Sequence, residues 1–222
     1  QKFHDEKKVE LENSARDWES ERVDVTAPGP TTPVGHLHPI TTLEHEVVSI
    51  FDRLGFSVAE GPEVETEFYN FDTLNFPKDH PARDMQDTFW VVGGGAVVKK
   101  GNSKERERLL MRTHTSPNQV RFMEKNKPPF RVIVPGRVFR NEATDASHEH
   151  TFHQFECLML DEPGKVSVAT FKYVAETFFE HFFGKKVTIR LRPSFFPFTE
   201  PSFEFDISCV LCDSAGCSTC KQ

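Results

Sequence analysis

Five side chains at fixed spacing, Arg140, Glu142, Phe152, Gln154 and Glu156, carry the strongest chemical signal in this chain. They lie in two runs, 130–142 and 152–156, that are rich in β-branched and aromatic residues. Polar residues fall at alternate positions in both, the pattern of half-buried strands. Side chains alternate across a strand, so Arg140 and Glu142 share one face of the first run. Phe152, Gln154 and Glu156 likewise share one face of the second. The polar stretch 143–150 supplies His148 and predicts a long loop joining an antiparallel pair. The shared face would hold a guanidinium, two carboxylates, an amide and an aromatic ring. That set is a poor recipe for a packed core and suits a ligand with both phosphates and an amino group. Taken alone, Arg140 and Glu142 have a blander alternative, a cross-strand salt bridge.

A second constellation is Cys209-x2-Cys212-x4-Cys217-x2-Cys220. Two disulfides would need an oxidising compartment, which nothing else in the chain suggests. Paired CxxC knuckles of an intracellular protein more often hold tetrahedral zinc, ahead of an iron–sulfur cluster or unligated thiols. Cys157 stands apart in the second strand and is expected to be a small buried apolar residue. The triplet Gly93-Gly94-Gly95 has no Lys-Ser/Thr after it and opens no helix, which argues against a phosphate loop.

The elements that must position these groups follow from periodicity and turn chemistry. Residues 24–35 are rich in Pro, Thr and Gly and read as a linker. A helix is expected after Pro39, with Thr41 and Glu44 as a capping box, an apolar stripe through Ile40, Leu43, Val47, Ile50 or Phe51 and Leu54, and a stop at Gly55. Residues 89–98 read as a hairpin around the glycine triplet, and the charged run 99–108 as a solvated loop. A strand at 109–113 precedes a helix that starts at Ser116-Pro117 and runs to about Asn126. Residues 165–183 form a second amphipathic helix ending at Gly184. Alternation at Val187, Ile189 and Leu191, and again at Phe203, Phe205 and Ile207, predicts two more half-buried strands. Strands outnumber helices, and βαβ alternation is absent. The fold class is therefore α+β, an antiparallel sheet flanked by helices.

Composition sets further bounds. The 222 residues allow one large domain or two small ones with a real core, and the 22 phenylalanines point to a Phe-rich one. No apolar run approaches a membrane span and no secretory signal opens the chain. A start at Gln1 is what a fragment or a processed product would give. The formal charge of −7 argues against strong nucleic-acid binding by this chain alone.

The run 130–142 with its answering strand resembles motif 2 of class II aminoacyl-tRNA synthetases, an aromatic-Arg-x-Glu, a loop and a second strand. Further matches are His36-Leu37-His38-Pro39-Ile40-Thr41, Glu60-Gly61-Pro62-Glu63-Val64-Glu65 and His80-Pro81-Ala82-Arg83-Asp84-Met85. Two more are Arg112-Thr113-His114-Thr115-Ser116-Pro117 and Phe196-Pro197-Phe198-Thr199-Glu200-Pro201. In that order they are similar to the family of bacterial phenylalanyl-tRNA synthetase α subunits, from about Glu21 onward. The resemblance implies a class II catalytic domain over 36–222, including a cysteine knuckle at 209–220. It also implies the end of a helical arm over 1–23, where Leu11, Ala15 and Trp18 could form a thin apolar stripe. Motif 1, with Pro62 as its proline, would build the subunit interface. Motif 3, which supplies a second phosphate-binding arginine and the floor of the phenyl pocket, is expected beyond Gln222. The isolated chain is accordingly expected to be inactive.

The resemblance also implies roles. Arg140 would bind the α-phosphate of ATP and the attacking carboxylate, and Glu142 the adenine amino group. Phe152 would stack on the purine and His148 reach the outer phosphates. Gln154, Glu156 and Ser116 would hold the α-ammonium of phenylalanine with His114 nearby, and Phe196 and Phe198 would pack against the phenyl ring. Glu200 would help hold Mg2+ at the interface with the β subunit. On residues alone, Ser116 could be only a helix cap, His114 a packing histidine, and Phe196 and Phe198 core. The implied assembly is a cytoplasmic α2β2 enzyme acting on ATP, phenylalanine and tRNA(Phe), with most tRNA contacts from the β subunit and the arm. The four-cysteine insertion occurs in some bacterial members and not others, which suggests a structural role. The rival readings are a non-catalytic class II paralogue acting as a binding or regulatory module, and a zinc-stabilised nucleic-acid-binding protein, which the acidic composition does not encourage.

Overall fold

The structure, a computed structural model, describes residues 1–14, 22–27, 29, 34–78, 88–93, 95–100, 103–146 and 148–220. It divides the chain into two units, Gln1–Leu37 and His38–Gln222. The first contains helix α1 (Lys2–Asn13), which buries none of its residues and leaves Leu11 exposed. Ala15 and Trp18 of the expected stripe lie outside the described residues, as do part of the linker and the motif at 80–85.

In the second unit, helix α2 spans Pro39–Arg53. It begins two residues before the expected capping box. Pro39 occupies the first helical turn, where no amide donor is needed, and Nδ1 of His38 accepts the Ile40 amide at 3.2 Å. Gly55, at φ +79°, takes the left-handed position that ends the helix. Only the C-terminal part of its stripe is fully buried: Val47, Ile50 and Phe51 pack with Phe56, Ile133 and Phe178, whereas Ile40 and Leu43 are exposed.

The central sheet has the order β1-β6-β7, where β1 is Ser57–Val58, β6 Phe130–Phe139 and β7 Thr151–Leu160. Strands β6 and β7 are antiparallel in unbroken register from Phe130↔Leu160 to Phe139↔Thr151, as alternation predicted. The β1–β6 pair is parallel, which the sequence pattern did not suggest; a two-residue strand is too short to show a period. On one side of this sheet Phe155 meets Phe51 of α2 at 5.7 Å and Phe178 of helix α5 (Val168–Phe183) at 5.3 Å. Elsewhere along β6, Phe122 of helix α4 (Ser116–Lys125) meets Phe130 at 5.1 Å and packs on the cluster of Ala59, Val132 and Val134. The phenylalanine-rich composition is thus only partly core: Phe51, Phe56, Phe71, Phe76 and Phe178 are buried, whereas Phe155, Phe171, Phe195, Phe198 and Phe205 are exposed. Cys157, expected to be buried, is exposed on β7.

Among the described residues, the remaining strands form three separate antiparallel pairs where a single sheet was expected. They are β2 (Val64–Thr66) with β5 (Leu109–Met111), β3 (Ala96–Lys100) with β4 (Ser103–Glu107), and β8 (Ile189–Phe196) with β9 (Thr199–Ile207). The hairpin expected at 89–98 is displaced: pairing runs from Ala96↔Glu107 to Lys100↔Ser103, and the charged run expected as a loop supplies its second strand. Glycines without side chains hold a ladder poorly, so pairing begins beyond the triplet. Trp90 instead bridges Leu110. Helix α3 (Glu67–Asn70) and a 3-10 turn, Asp72–Leu74, follow β2. Helix α5 starts three residues later than expected, at a capping box between Ser167 and Thr170, and ends at Gly184 as predicted.

Candidate active site

The site is built around a buried cation that sequence reasoning quoted in a motif but gave no role. Arg112, just past β5, donates from Nε to the Arg137 carbonyl at 2.7 Å and from Nη1 to the Gly61 carbonyl at 3.3 Å. With its amide turned to accept, Asn118 of α4 takes N–H bonds from Arg112 Nη1 at 2.9 Å and from Gly61 at 3.3 Å. Two glycines make room for this. A Cβ on Gly136 would overlap the guanidinium, and one on Gly61 would overlap the Asn118 side chain. Arg112 thereby ties the turn at Gly61-Pro62, strand β6 and helix α4 together. A second clamp is the bidentate pair of Arg121 with fully buried Glu65, at 2.6 and 2.7 Å.

These clamps hold the segment Thr113, His114, Thr115 and Ser116, on which two half-sites converge. In the first, the Arg140 amide donates to the His150 carbonyl at 3.0 Å, extending the β6–β7 ladder by one rung, and Arg140 Nε donates to the Thr113 carbonyl at 3.4 Å. Its guanidinium carbon stands 5.0 Å from the centre of the Phe152 ring. The nearest approach to Glu142 is 4.0 Å with both side chains about one-third exposed, a pair too loose to be a structural bridge. His148 lies in the loop beyond, its ring against Asp145.

In the second half-site, Glu156 Oε2 accepts from Ser116 Oγ at 2.7 Å and from Gln119 Nε2 at 2.5 Å, while Oε1 accepts from Gln154 Nε2 at 3.3 Å. Burial pushes the Glu156 carboxyl above the usual range, and hydrogen bonds from Ser116, Thr115 and Gln119 oppose it. Ser116 is therefore more than a cap; the N-cap residue of α4 is Thr115. His114 is buried, and desolvation, helped by the Arg140 charge, pushes it down to about 4, so its imidazole is neutral at physiological pH. Among the described residues, neither ring nitrogen has a hydrogen-bond partner, nor does Gln154 Oε1. Each buried polar atom left so costs about 1–3 kcal/mol, which marks a place for a polar ligand. Gln119 escaped the sequence reading. Its signal, three positions after Ser116 on one helix face, is legible only once Glu156 is known to lie opposite.

Phe196 and Phe198 are brought together with ring centres 6.1 Å apart, but not by strand alternation. They flank the hairpin turn at Pro197, between the paired residues Phe196 and Thr199. Phe198 packs on Phe76 at 5.5 Å, and Asn75 Nδ2 donates to the Pro197 carbonyl at 2.8 Å. With Asp72, Lys78 and Glu200 they line an open cleft of about 870 Å³. Glu200 brings that cleft one carboxylate, enough for the sparse protein ligation Mg2+ uses when phosphates and water complete its shell.

Cys209, Cys212, Cys217 and Cys220 converge, with sulfur separations of 3.9 Å (209–217), 3.7 Å (212–220) and 3.6 Å (217–220). These are far beyond a disulfide bond. A tetrahedron with metal–sulfur distances of about 2.3 Å has edges of about 3.8 Å, so the four thiols fit zinc. Asp213, Ser214 and Gly216, all at positive φ, fold the connecting turn back. Backbone amides of Cys220 and Thr219 pull the Cys217 thiol down to about 6, toward the thiolate a metal needs.

The profile of the tRNA synthetases class II core domain (F) matches residues 22–221. A Geotalea daltonii protein named phenylalanine-tRNA ligase alpha subunit is 53% identical over 203 residues, covering 91% of this chain and 55% of the relative. One of the same name from Shouchella clausii is 50% identical over 222 residues, covering 98% and 60%. The chain thus spans 55–60% of the length of these two relatives. Among solved structures, the Desulfitobacterium hafniense PylSc, a pyrrolysyl tRNA synthetase, superposes with a TM-score of 0.54 at 18% identity, over 76% of this chain and 54% of that one, a likeness of fold.

Proposed function

Since the chain belongs to the class II tRNA synthetase core family, we propose that it is catalytic sequence from the α subunit of a phenylalanine-tRNA ligase. The enzyme would form phenylalanyl adenylate from ATP and phenylalanine and then esterify tRNA(Phe), working with a β subunit as α2β2. The relatives' shared name supports the substrate assignment. The observation that carries the reading is the half-buried Glu156 carboxylate, ringed by Ser116, Gln119 and Gln154, one short segment away from Arg140.

The chemistry follows from these groups. The α-ammonium of phenylalanine supplies the positive charge and N–H donors that Glu156 and the unpaired Gln154 Oε1 lack. Neutral His114 accepts rather than repels. The substrate carboxylate attacks the α-phosphorus of ATP in line, forming the acyl–phosphate bond as the bond to pyrophosphate breaks. No covalent enzyme intermediate is needed, so positioning and charge stabilisation are the protein's task. Arg140, loosely paired, turns its planar fork to the α-phosphate and the attacking carboxylate. Glu142 accepts from the adenine amino group and Phe152 offers its ring to the purine. Mg2+, with Glu200 among its ligands, would neutralise charge on the phosphates. Phe196 and Phe198 would receive the phenyl ring edge-on. Zinc at the four cysteines would be structural. Metal analysis of protein purified without chelator should find one zinc per chain, and a stoichiometry near zero would reject that site.

Pyrophosphate exchange by the complete α chain with its β subunit tests the whole. Exchange should depend on phenylalanine and fall about 10²–10³-fold in Arg140→Ala. Exchange driven by another amino acid, or unchanged by the substitution, rejects the assignment.

A further inference from the structure

The loop 141–150 poses an electrostatic problem. It carries three carboxylates, Glu142, Asp145 and Glu149, and neither lysine nor arginine. A loop of that composition facing a polyphosphate would repel it. Its only cations can be its two histidines, and His150 is already engaged with Glu149.

Asp145 and His148 are joined by more than proximity. The Asp145 amide donates to the His148 carbonyl at 3.1 Å, and the His148 amide donates to Asp145 Oδ1 at 2.8 Å. His148 Nδ1 then lies 2.9 Å from both Oδ1 and Oδ2. An ionised carboxylate only accepts, so Nδ1 must carry a proton. In the neutral ring Nε2 is then a lone pair, which a phosphate oxygen would repel. Only the imidazolium presents an Nε2–H donor.

We propose that Asp145 is a positioning residue for ATP: it orients the His148 ring and holds it as the imidazolium that donates to the outer phosphates. This rests on the ligase reading above and deepens it. Asp145 acts on the ring with Glu142 of the same loop, and both favour its charged form; among the described residues, no charge of another element acts on it. The pair also masks one of the loop's own negative charges from the incoming phosphates. His148 has a pKa raised above the ordinary histidine value, by the Asp145 hydrogen bond first and then by its charge. The interaction with phosphate is therefore present at low pH and lost as pH rises through that raised value.

The test uses the complete α chain with its β subunit, measuring ATP KM in pyrophosphate exchange from pH 6 to 9, with phenylalanine KM as the control. In the wild type ATP KM should rise as His148 deprotonates. Asp145→Asn keeps an acceptor for Nδ1–H but removes the charge, so the rise should begin at lower pH, with KM roughly fivefold higher near neutrality, the scale of one partly exposed charged contact. His148→Gln should abolish that step in the profile and leave phenylalanine KM unchanged. Titration of the His148 ring by NMR, in wild type and Asp145→Asn, reads the charge directly. An active enzyme whose Asp145→Asn profile rises uniformly without moving along the pH axis, or whose His148 titration is unaltered, overturns the proposal. A wild type with no phenylalanine-dependent exchange overturns the ligase reading itself.

Discussion

The half-site proposed for the ammonium and the one proposed for the nucleotide share the segment Thr113–Ser116 yet are built on opposite plans. Around Glu156 three side chains already donate to the carboxylate, and among the described residues Gln154 Oε1 is left without a donor. Around Arg140 the contacts are long, the loop is exposed, and the guanidinium stands over the Phe152 ring. A small cation can be met by a preformed pocket, because buried acceptors keep their geometry whether or not it is present. A polyphosphate needs long cationic side chains that move to it, and burying them beforehand would cost more than the ligand returns.

Breaking the preformed half should have the largest effect. Glu156→Gln removes the half-buried charge and leaves the amide donors of Gln119 and Gln154 facing another amide. Catalytic efficiency toward phenylalanine should fall about 10²–10³-fold, the scale of an unpaired buried charge. ATP KM should change little. Equal losses for both ligands would mean the two halves are not separable.

Gly136→Ala should strike both halves through their common support. The added methyl has no room beside Arg112, so overpacking of about 1–3 kcal/mol is expected, visible as a lower Tm. An unchanged Tm would mean that Arg112 is not the fixed buttress described.

A finer contrast comes from two single truncations. Phe152→Ala removes stacking worth about 1–3 kcal/mol and should weaken ATP binding more than phenylalanine binding. Gln154→Ala should do the reverse, and calorimetric titration of each ligand separates them. An inverted pattern would exchange the assignments.

The smallest effect is the dependence of phenylalanine affinity on pH. Glu156 must be ionised to bind the ammonium, and burial raises its pKa in the free protein. Affinity is then present above that raised value and lost as pH falls through it, so the loss should begin at higher pH than for an ordinary carboxylate. A profile that breaks only in the usual carboxylate range would remove burial as the controlling influence, and one unmoved in Ser116→Ala would remove the opposing hydrogen bond.

Much of this molecule can be read from neighbours in the chain. Alternation specified the β6–β7 pair and the face shared by Phe152, Gln154 and Glu156, and turn chemistry placed the ends of α2 and α5 at glycines. The four cysteines announced their cluster by spacing. These are local properties, set by backbone sterics and by a side-chain period that a short window reveals. Local reasoning fails where a contact joins distant segments. Gln119 lies 37 residues from Glu156 and Arg112 lies 25 from the Arg137 carbonyl it holds, so neither partner leaves a trace in the other's surroundings. The neutrality of His114 has the same origin, because desolvation belongs to an environment assembled from many segments. Residue types and spacing determined which chemistry this chain can offer. Packing decided which of those groups are charged, held or left waiting, because electrostatics and close packing act through space and take no account of sequence distance.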